Sequence, residues 1–310
     1  MKRVVGFVVI FLGLFLIFLA PFIHWYAVPR LEKAPLDVDQ TVISNGTGTF
    51  FSPTVGRVVG PVPIQNIQSY KGDPAKGTKD VVVIDYQSHT VTLVTGKSFD
   101  YDREVFAMER KTGFAEHCCG ENPVHSGLEV KFPFAAQQTT YQLWDTASNR
   151  AFPAKFVKVD TLDGVTVYEW RAVGGPVKIG TLELPGSLIG QPDQENVQTD
   201  RMYATDITVW AEPQTGAVLK GRQLLQQWAE VNGQKVLFLA NLFLEYTPQT
   251  VAKLAGDAKD SLSQLKLIKK TVPISGPIIG LVLAAVGFLL LRGRSGVKER
   301  AAPQPAPAGT

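Results

Sequence analysis

Two long apolar runs lie at opposite ends of the chain, and nearly all of the polar sequence lies between them. The first extends from Val4 to about Tyr26 and the second from about Val272 to Leu291. A membrane-spanning helix needs about 20 apolar residues, because the bilayer core is about 30 Å thick and a helix rises about 1.5 Å per residue. The pattern therefore predicts transmembrane helices at 4–26 and 272–291, with a single domain at 27–271.

A cleaved signal peptide is the alternative to the first helix, because Lys2 and Arg3 precede the apolar run. That run is longer than the usual 7–15 residues, and no small-x-small cleavage site closes it, so an uncleaved anchor is favoured. Basic residues beside membrane helices favour the cytoplasmic side, and Arg292 and Arg294 follow the second helix. We expect a plasma-membrane protein with a cytoplasmic N-terminus at 1–3, an extracytoplasmic main domain, and a basic, then Pro/Ala-rich, disordered cytoplasmic tail at 292–310.

Small residues recur along the second apolar run at a spacing of about four, namely Gly276, Gly280, Ala284 and Gly287. Such spacing lets helices approach closely, either within one chain or between chains. It is therefore compatible with a homo-oligomer formed through the second helix. Ordinary use of glycine in membrane helices explains the same pattern equally well.

Alternation of apolar and polar residues dominates the domain between the runs and predicts a mostly antiparallel, barrel-like β fold within an α+β class. Asp163-Gly164 and Asn232-Gly233 each separate two strand-like runs, which is typical of a two-residue hairpin. A turn is predicted at 213–216 as well. Ser88-His89 is a further predicted turn, between strands at 81–86 and 90–94, with a solvated His89.

A helical period replaces the β pattern after Pro248, where apolar residues recur every three to four positions. This predicts an amphipathic, membrane-proximal helix at 249–270, packed on the domain or lying on the membrane surface. Pro273 and Pro277 are expected to bend the chain as it enters the second membrane helix.

The run from Val236 to Leu244 is apolar on both faces of its predicted strand, with Asn241 as the single polar residue. Such a strand must be covered on both sides. Another layer of protein can cover its second face, or that face can line an apolar cavity holding lipid. The candidate wall of such a cavity consists of Val236, Leu237, Phe238, Leu239, Leu242, Phe243 and Leu244.

The two cysteines of the chain are adjacent, at Cys118 and Cys119. Outside the cytoplasm a disulfide is expected, so a vicinal disulfide is the leading interpretation. Disulfides to another chain, free thiols, and a metal site using both cysteines with His117 and His125 are the alternatives. Adjacent cysteines are awkward chelators, so we assign no metal ligands and treat both histidines as ordinary loop residues.

No catalytic motif is found, since the sequence contains neither G-x-S-x-G nor H-E-x-x-H. We therefore expect a protein that is not an enzyme and that needs no cofactor. Six of the 31 basic residues and one of the 28 acidic residues lie outside the predicted domain. The domain keeps 25 basic and 27 acidic residues, a net charge of −2, which argues against a nucleic-acid partner.

The order of elements resembles class B scavenger receptors and the lysosomal integral membrane protein type 2, with a strand at 207–212 followed by a Pro-x-Thr-Gly turn at 213–216. A closer resemblance, covering most of the chain, is to the actinobacterial porin PorA family, a domain of unknown function. It rests on the segments Cys118-Cys119-Gly120-Glu121, Ser126-Gly127-Leu128, Phe132-Pro133-Phe134 and Trp144-Asp145. That resemblance implies an envelope location in a Gram-positive host.

The leading functional hypothesis is a membrane-anchored domain of the cell envelope that binds or transfers lipid or another hydrophobic ligand through an apolar tunnel. The double-anchored layout and the two-faced apolar strand motivate it. An oligomeric porin-like channel and a structural or partner-binding envelope protein are the alternatives. Two helices per chain cannot enclose a pore without oligomerisation.

Overall fold

The computed structural model describes residues 2–292, so the predicted disordered tail lies outside the described residues except for Arg292. The described chain forms two compact units, one from residues 32–264 and the other from the residues on either side of them. The helices are α1 Lys2–Phe22, α2 Val28–Leu31, α3 Pro248–Lys266 and α4 Val272–Arg292, with π-helical turns at Ile23–Ala27 and Leu267–Thr271. The strands are β1 Asp39–Ser52, β2 Arg57–Gly72, β3 Val81–Thr92, β4 Ser98–Glu109, β5 Tyr141–Asp145, β6 Arg150–Leu162, β7 Val165–Pro185, β8 Asn196–Ala211, β9 Val218–Val231 and β10 Gln234–Tyr246.

All ten strands form a single antiparallel sheet in the order β4-β3-β2-β1-β10-β9-β8-β7-β6-β5. Consecutive strands are neighbours except β4 and β5, and β1 pairs with β10 in the middle of the sheet. This confirms the predicted fold class, a mostly antiparallel β domain with an apolar helix at each end of the chain.

The sheet is curved but is not a closed barrel, because β4 and β5 are its two edges and do not pair with each other in the described chain. The largely irregular segment 110–140 lies between the two edges. It bridges to β4 at Val105–Asn122 and Met108–Ala115, and Leu128 bridges in parallel to Leu143 of β5. A loop segment therefore completes the wall where a barrel would have a strand pair.

Both predicted two-residue hairpins are present. Leu162 pairs with Val165, and Asp163 and Gly164 adopt φ of 46° and 77°. The turn at Asn232-Gly233 has φ of 53° and 75°. Positive φ at both central positions matches the right-handed twist of the flanking strands, which explains the Asx-Gly sequences.

The predicted turn at Ser88-His89 is wrong, because β3 runs unbroken from Val81 to Thr92. Ser88 points into the sheet interior and is buried, whereas His89 points outward and is exposed. The two polar residues are adjacent positions on opposite faces of one strand. The actual turn follows at 93–97, where Gly96 adopts φ of 67°.

Helix α3 packs on one end of the sheet, as one of the two sequence alternatives proposed. Leu254, Ala255 and Ala258 are buried there against Val42 of β1 and Trp210 of β8. Thr247 stabilises the start of the helix, since its hydroxyl accepts a hydrogen bond from the backbone N–H of Thr250. The chain stays helical through this region, since Leu267–Thr271 is π-helical and α4 continues through Pro277, and the bend expected at the prolines stays a prediction.

In the second unit, α1 and α4 pack against each other through their glycines. A Cβ atom added at Gly13 would lie 2.5 Å from the carbonyl oxygen of Gly280, and the reverse distance is the same. Gly287 approaches Gly6 in a similar way. The small-residue stripe of the second apolar run therefore contacts the first apolar run of the same chain.

Candidate functional site

A cavity of about 1440 Å³ occupies part of the interior of the curved sheet. In an antiparallel meander every second connection lies at the same end of the sheet. The connections after β1, β3, β5 and β7 share one end, and each supplies residues that line the cavity, including Val55, Val94, Thr146 and Leu188. The opposite end is filled by α3 and its buried partners.

The segment 110–140 fills the interior next to β5–β8. Phe132 stacks on Trp170 with ring centroids 4.2 Å apart, and both side chains are fully buried. The indole N–H of Trp170 donates to the carbonyl oxygen of Thr139 at 2.9 Å. The packed aromatic pair thus fills one part of the interior of the sheet, and the cavity occupies another part.

The cavity has walls of different polarity. Strand β3 contributes Ser88, Thr90 and Thr92, whereas β10 contributes Leu239, Leu242 and Leu244. Aromatic residues near the hairpin end add to the apolar side, since Phe50 stacks on Phe99 with centroids 4.6 Å apart. A molecule with one polar and one apolar part would match both walls.

Three of the seven residues predicted as an apolar wall line this cavity, namely Leu239, Leu242 and Leu244. Val236 and Leu237 instead pack against an apolar cluster of β7, β8 and β9, and Leu184 of that cluster lines the cavity. Phe243 is on the outer face and is 36 % exposed, while Phe238 lies beside Lys235. The pairing of β10 with β9 shifts register between Lys235 and Leu237 and again between Phe238 and Ala240. These bulges change which residues of β10 face inward, so simple alternation along the sequence does not predict the wall correctly.

One buried acidic group in the cavity wall is Asp145, at the end of β5. Its carboxylate accepts hydrogen bonds from the Ser148 hydroxyl at 2.6 Å, the Tyr203 hydroxyl at 2.9 Å and the Gln223 amide at 3.2 Å. Burial raises the pKa of Asp145, and these hydrogen bonds oppose that shift. Three neutral donors therefore satisfy this carboxylate inside the domain.

A second buried polar cluster surrounds His125, whose ring is fully buried between Phe106 and Trp144. The imidazole Nε2 lies 3.2 Å from a carboxylate oxygen of Glu104, and the indole N–H of Trp144 donates to the same oxygen at 3.2 Å. Nδ1 lies 3.4 Å from a carboxylate oxygen of Glu121. It also lies 3.4 Å from one of Glu129.

The far side of this cluster has unpaired atoms. His125 Nδ1 and both carboxylate oxygens of Glu129 are buried and have no hydrogen-bond partner among the described residues. Burial, together with the charges of Glu121 and Glu104, raises the pKa of Glu129 to about 9. The donor atoms of Glu121, His125 and Glu129 all lie within 4.8 Å of one another, so these three residues could hold a metal ion.

Cys118 and Cys119 form the predicted vicinal disulfide, in the loop that leads to Glu121. This excludes, for this structure, the alternative in which both thiolates and two histidines bind a metal. His117 is exposed, as expected of a loop residue, and His125 also lies outside the helices and strands, but its side chain is buried. Backbone hydrogen bonds between Val105 and Asn122 hold the segment against β4 and carry His125 into the interior.

Sequence reasoning missed Glu104 and Glu129 altogether. Glu121, His125 and Glu129 follow one another at a spacing of four, and this spacing is the signal that the search for cysteine-based motifs did not use. The segment is not helical, so spacing alone does not bring the three side chains together. Glu104 comes from β4, and only the fold places it beside the imidazole.

Comparison with known proteins gives one family and a few relatives. The family model described as Porin PorA matches residues 5–289. A Porin PorA from Corynebacterium amycolatum is 22% identical over 348 residues, covering 87% of this chain and 86% of the relative. A Porin PorA from Corynebacterium resistens is also 22% identical, over 53% of this chain and 55% of the relative.

Among solved structures, the crystal structure of Rv2717c from M. tuberculosis has a TM-score of 0.25 to this chain at 12% sequence identity. The match covers 66% of this chain and 91% of the Rv2717c chain. The resemblance to scavenger receptors stays a prediction.

Two helices of the chain are long and apolar enough to cross a membrane. Together with the porin naming, they support a membrane or cell-envelope protein, and the match over nearly the whole sequence shows that the chain belongs to the Porin PorA family.

Proposed function

We propose that this protein is a non-enzymatic, membrane-anchored lipid-binding protein of the cell envelope, which holds or transfers an amphiphilic ligand in the cavity of its β domain. In this proposal both termini are cytoplasmic and the β domain lies outside the plasma membrane. The single observation that carries the proposal is the cavity with its polar and apolar walls.

The size of the cavity favours a large ligand. Small-molecule sites usually measure about 300–1,000 Å³, and this cavity, at about 1440 Å³, exceeds that range. Its apolar wall would take an acyl chain along Leu225, Leu239 and Leu242, while the hydroxyls of Ser88 and Thr90 offer hydrogen bonds to a polar group.

The hydrophobic effect is large enough to hold such a ligand. Burial of one methylene contributes about 0.8 kcal/mol, so ten of them contribute about 8 kcal/mol. The free energy of a micromolar complex is about −8.2 kcal/mol. Association also costs translational and rotational freedom, so we expect micromolar rather than nanomolar affinity for a single-chain lipid.

Adjacent residues of β9 provide a matched test. Leu225 faces the cavity, and Leu224 faces outward with 37% exposure. Leu225→Trp should fill part of the cavity and weaken binding of a fluorescent fatty acid at least about tenfold, whereas Leu224→Trp should leave it unchanged. Binding is measured by fluorescence titration of the full chain in detergent, and native mass spectrometry then identifies any lipid that copurifies.

The proposal fails if the wild-type protein is recovered empty and also ignores fluorescent fatty acids. Equal binding by both tryptophan variants would place the ligand outside the cavity and would equally contradict it. Circular dichroism and gel filtration of each variant establish that the fold is intact.

An oligomeric channel is the second candidate, because the relatives are named porins. Two helices per chain require several copies to enclose a pore, and a homo-oligomer through α4 would supply them. The glycine face of α4 already contacts α1, so the copies would have to meet through other faces. Planar-bilayer conductance by the wild type that is reduced by Ala285→Leu, on an exposed face of α4, would support a channel assembled through that face. Silence at high protein loading would exclude it.

A further inference from the structure

We infer that Glu121, His125 and Glu129 bind one divalent transition-metal ion of the Zn²⁺ type inside the β domain. This inference does not depend on the proposed lipid ligand, because its argument uses only the contacts among these side chains, although Glu129 also lines the cavity. Two of them, His125 and Glu129, have fully buried side chains with unpaired atoms directed at each other.

The first step concerns which nitrogen of the His125 imidazole carries the proton. Glu104 is acceptor-only when ionised, and it already accepts a hydrogen bond from Trp144. The short contact with His125 Nε2 therefore requires that Nε2 carries the proton. The other nitrogen, Nδ1, is then an unprotonated lone pair. A carboxylate that fixes the tautomer of a metal-binding histidine in this way is a common arrangement around protein metal ions.

The second step concerns what Nδ1 faces. The unprotonated nitrogen lies 3.4 Å from an oxygen of Glu129 that has no hydrogen-bond partner among the described residues. It also lies 3.4 Å from an oxygen of Glu121, which accepts a hydrogen bond from the backbone N–H of His125. When Glu129 is ionised, the three electron-rich atoms repel one another at low dielectric, so this arrangement needs either a proton on Glu129 or a cation between the three atoms. A cation at their centre would reverse the sign of all three interactions.

The distances suit a small cation. Zinc binds imidazole nitrogen and carboxylate oxygen at about 2.0–2.2 Å, so two tetrahedral ligand atoms lie about 3.4 Å apart. Both distances from His125 Nδ1 have this value. One imidazole with two carboxylates fits Zn²⁺ better than Mg²⁺ or Ca²⁺, which prefer oxygen ligands alone.

The net charge of the cluster supports the same conclusion. Glu104, Glu121 and Glu129 are each at most 3% exposed, and no lysine or arginine forms an ion pair with any of them among the described residues. Buried charges are normally paired or bind metals. The exposed His117 contacts Glu121 from the solvent side and can offset one charge at most.

The experiment uses the full-length protein in detergent, freed of metal with a chelator. Zn²⁺ binding is measured by calorimetry and by elemental analysis after dialysis, and Co²⁺ serves as a spectroscopic probe of the ligands. We expect one Zn²⁺ per chain and a Co²⁺ spectrum with nitrogen and oxygen ligation and no thiolate charge-transfer band. A thiolate band would point to the cysteines and overturn the assignment.

Two Glu→Gln substitutions in the same segment form the matched pair. Glu129→Gln should weaken Zn²⁺ binding at least about tenfold, while Glu116→Gln, at an exposed position, should leave it unchanged. Glu104→Gln tests the positioning role and should weaken binding by about 10–100-fold. Wild-type protein without a bound equivalent of Zn²⁺, or equal affinity in Glu129→Gln, would overturn the inference. The wild-type Co²⁺ spectrum decides the question if a variant does not fold.

Discussion

Two buried acidic clusters in one β domain satisfy their carboxylates in different ways. Asp145 accepts hydrogen bonds from Ser148, Tyr203 and Gln223, so all of its partners are neutral donors of the protein. The Glu129 side chain is also buried, yet both of its oxygens are unpaired in the described chain. Buried carboxylates of similar depth thus have opposite environments.

The Asp145 carboxylate therefore has the environment of a structural polar group, whereas the Glu129 carboxylate has that of a ligand-binding group. A fully satisfied buried network stabilises one arrangement of the core, whereas an unsatisfied one is costly unless something outside the chain completes it. Asp145 therefore needs its protein neighbours, and Glu129 needs a proton or a cation. Four predictions test this contrast.

The largest effect is expected when the satisfied carboxylate is removed. Asp145→Leu keeps the approximate size but leaves the hydroxyls of Tyr203 and Ser148 without their carboxylate acceptor, whereas the Gln223 amide keeps Thr205. Each orphaned buried donor costs about 1–3 kcal/mol, so unfolding free energy should fall by about 3 kcal/mol. The melting temperature of the full chain, followed by circular dichroism, should drop by roughly 6–12 °C. A drop below about 2 °C would mean that Asp145 is not the acceptor that holds these groups.

The next effect in size is stabilisation by metal. Zn²⁺ at one hundred times its dissociation constant should raise the unfolding free energy of the wild type by about 2.7 kcal/mol. The Asp145→Leu variant should gain the same amount, because none of the hydrogen-bond partners of Asp145 is a proposed metal ligand, while a variant without Glu129 should gain little. Thermal unfolding with and without Zn²⁺ measures all three. An equal gain in the Glu129 variant would place the ion elsewhere.

A smaller effect of opposite sign is expected for Glu129→Met in the presence of a chelator. Replacing an unpaired buried polar group by an apolar side chain of similar shape is often neutral or stabilising. Unfolding free energy should stay the same or rise by up to about 1 kcal/mol. A loss of 2 kcal/mol or more without metal would show that Glu129 has a structural partner after all, and the contrast with Asp145 would disappear.

The smallest effect concerns pH. Burial raises the pKa of Asp145 above its unfolded value, so the folded state binds the proton more tightly. Its contribution to stability is fully present below the unfolded pKa and is lost as the pH rises through the folded pKa. The stability difference between the wild type and Asp145→Asn should therefore grow as the pH falls from 7 towards 4.

The stability difference between the two proteins also cancels the contributions of other groups that titrate equally in both. Asp85 and Asp206 have their pKa lowered by Arg103 and Arg171, so they destabilise the fold as the pH falls. Both groups are partly exposed, and their contribution is correspondingly modest. A pH-independent difference between the wild type and Asp145→Asn would contradict the prediction.

Much of the fold was predictable because its signals are local. Asp163-Gly164 and Asn232-Gly233 specify hairpins through the φ that each turn requires, and the period after Pro248 specifies α3. The error at Ser88-His89 has a physical cause as well. Polar residues on the inner face of β3 line a cavity, and a polar pair inside an apolar run resembles a turn when the cavity is unknown.

The sites were less predictable because they depend on long-range pairing. The bulges of β10 decide that Leu239 and Leu242 face the cavity while Phe243 faces outward. Glu104 and His125 meet only because residues around Asn122 pair with β4. Neither fact has a signal in the sequence around the residues concerned.

The connections between strands lie alternately at the two ends of the domain, and sequence change has different consequences at the two ends. The loops after β1, β3, β5 and β7 surround the cavity, and the opposite end carries the packed helix α3. Exposed hairpin tips tolerate insertion and substitution well, because few buried groups depend on them. If the cavity holds a ligand as proposed, its ligand preference can change at one end of the domain without disturbing the packed helix at the other.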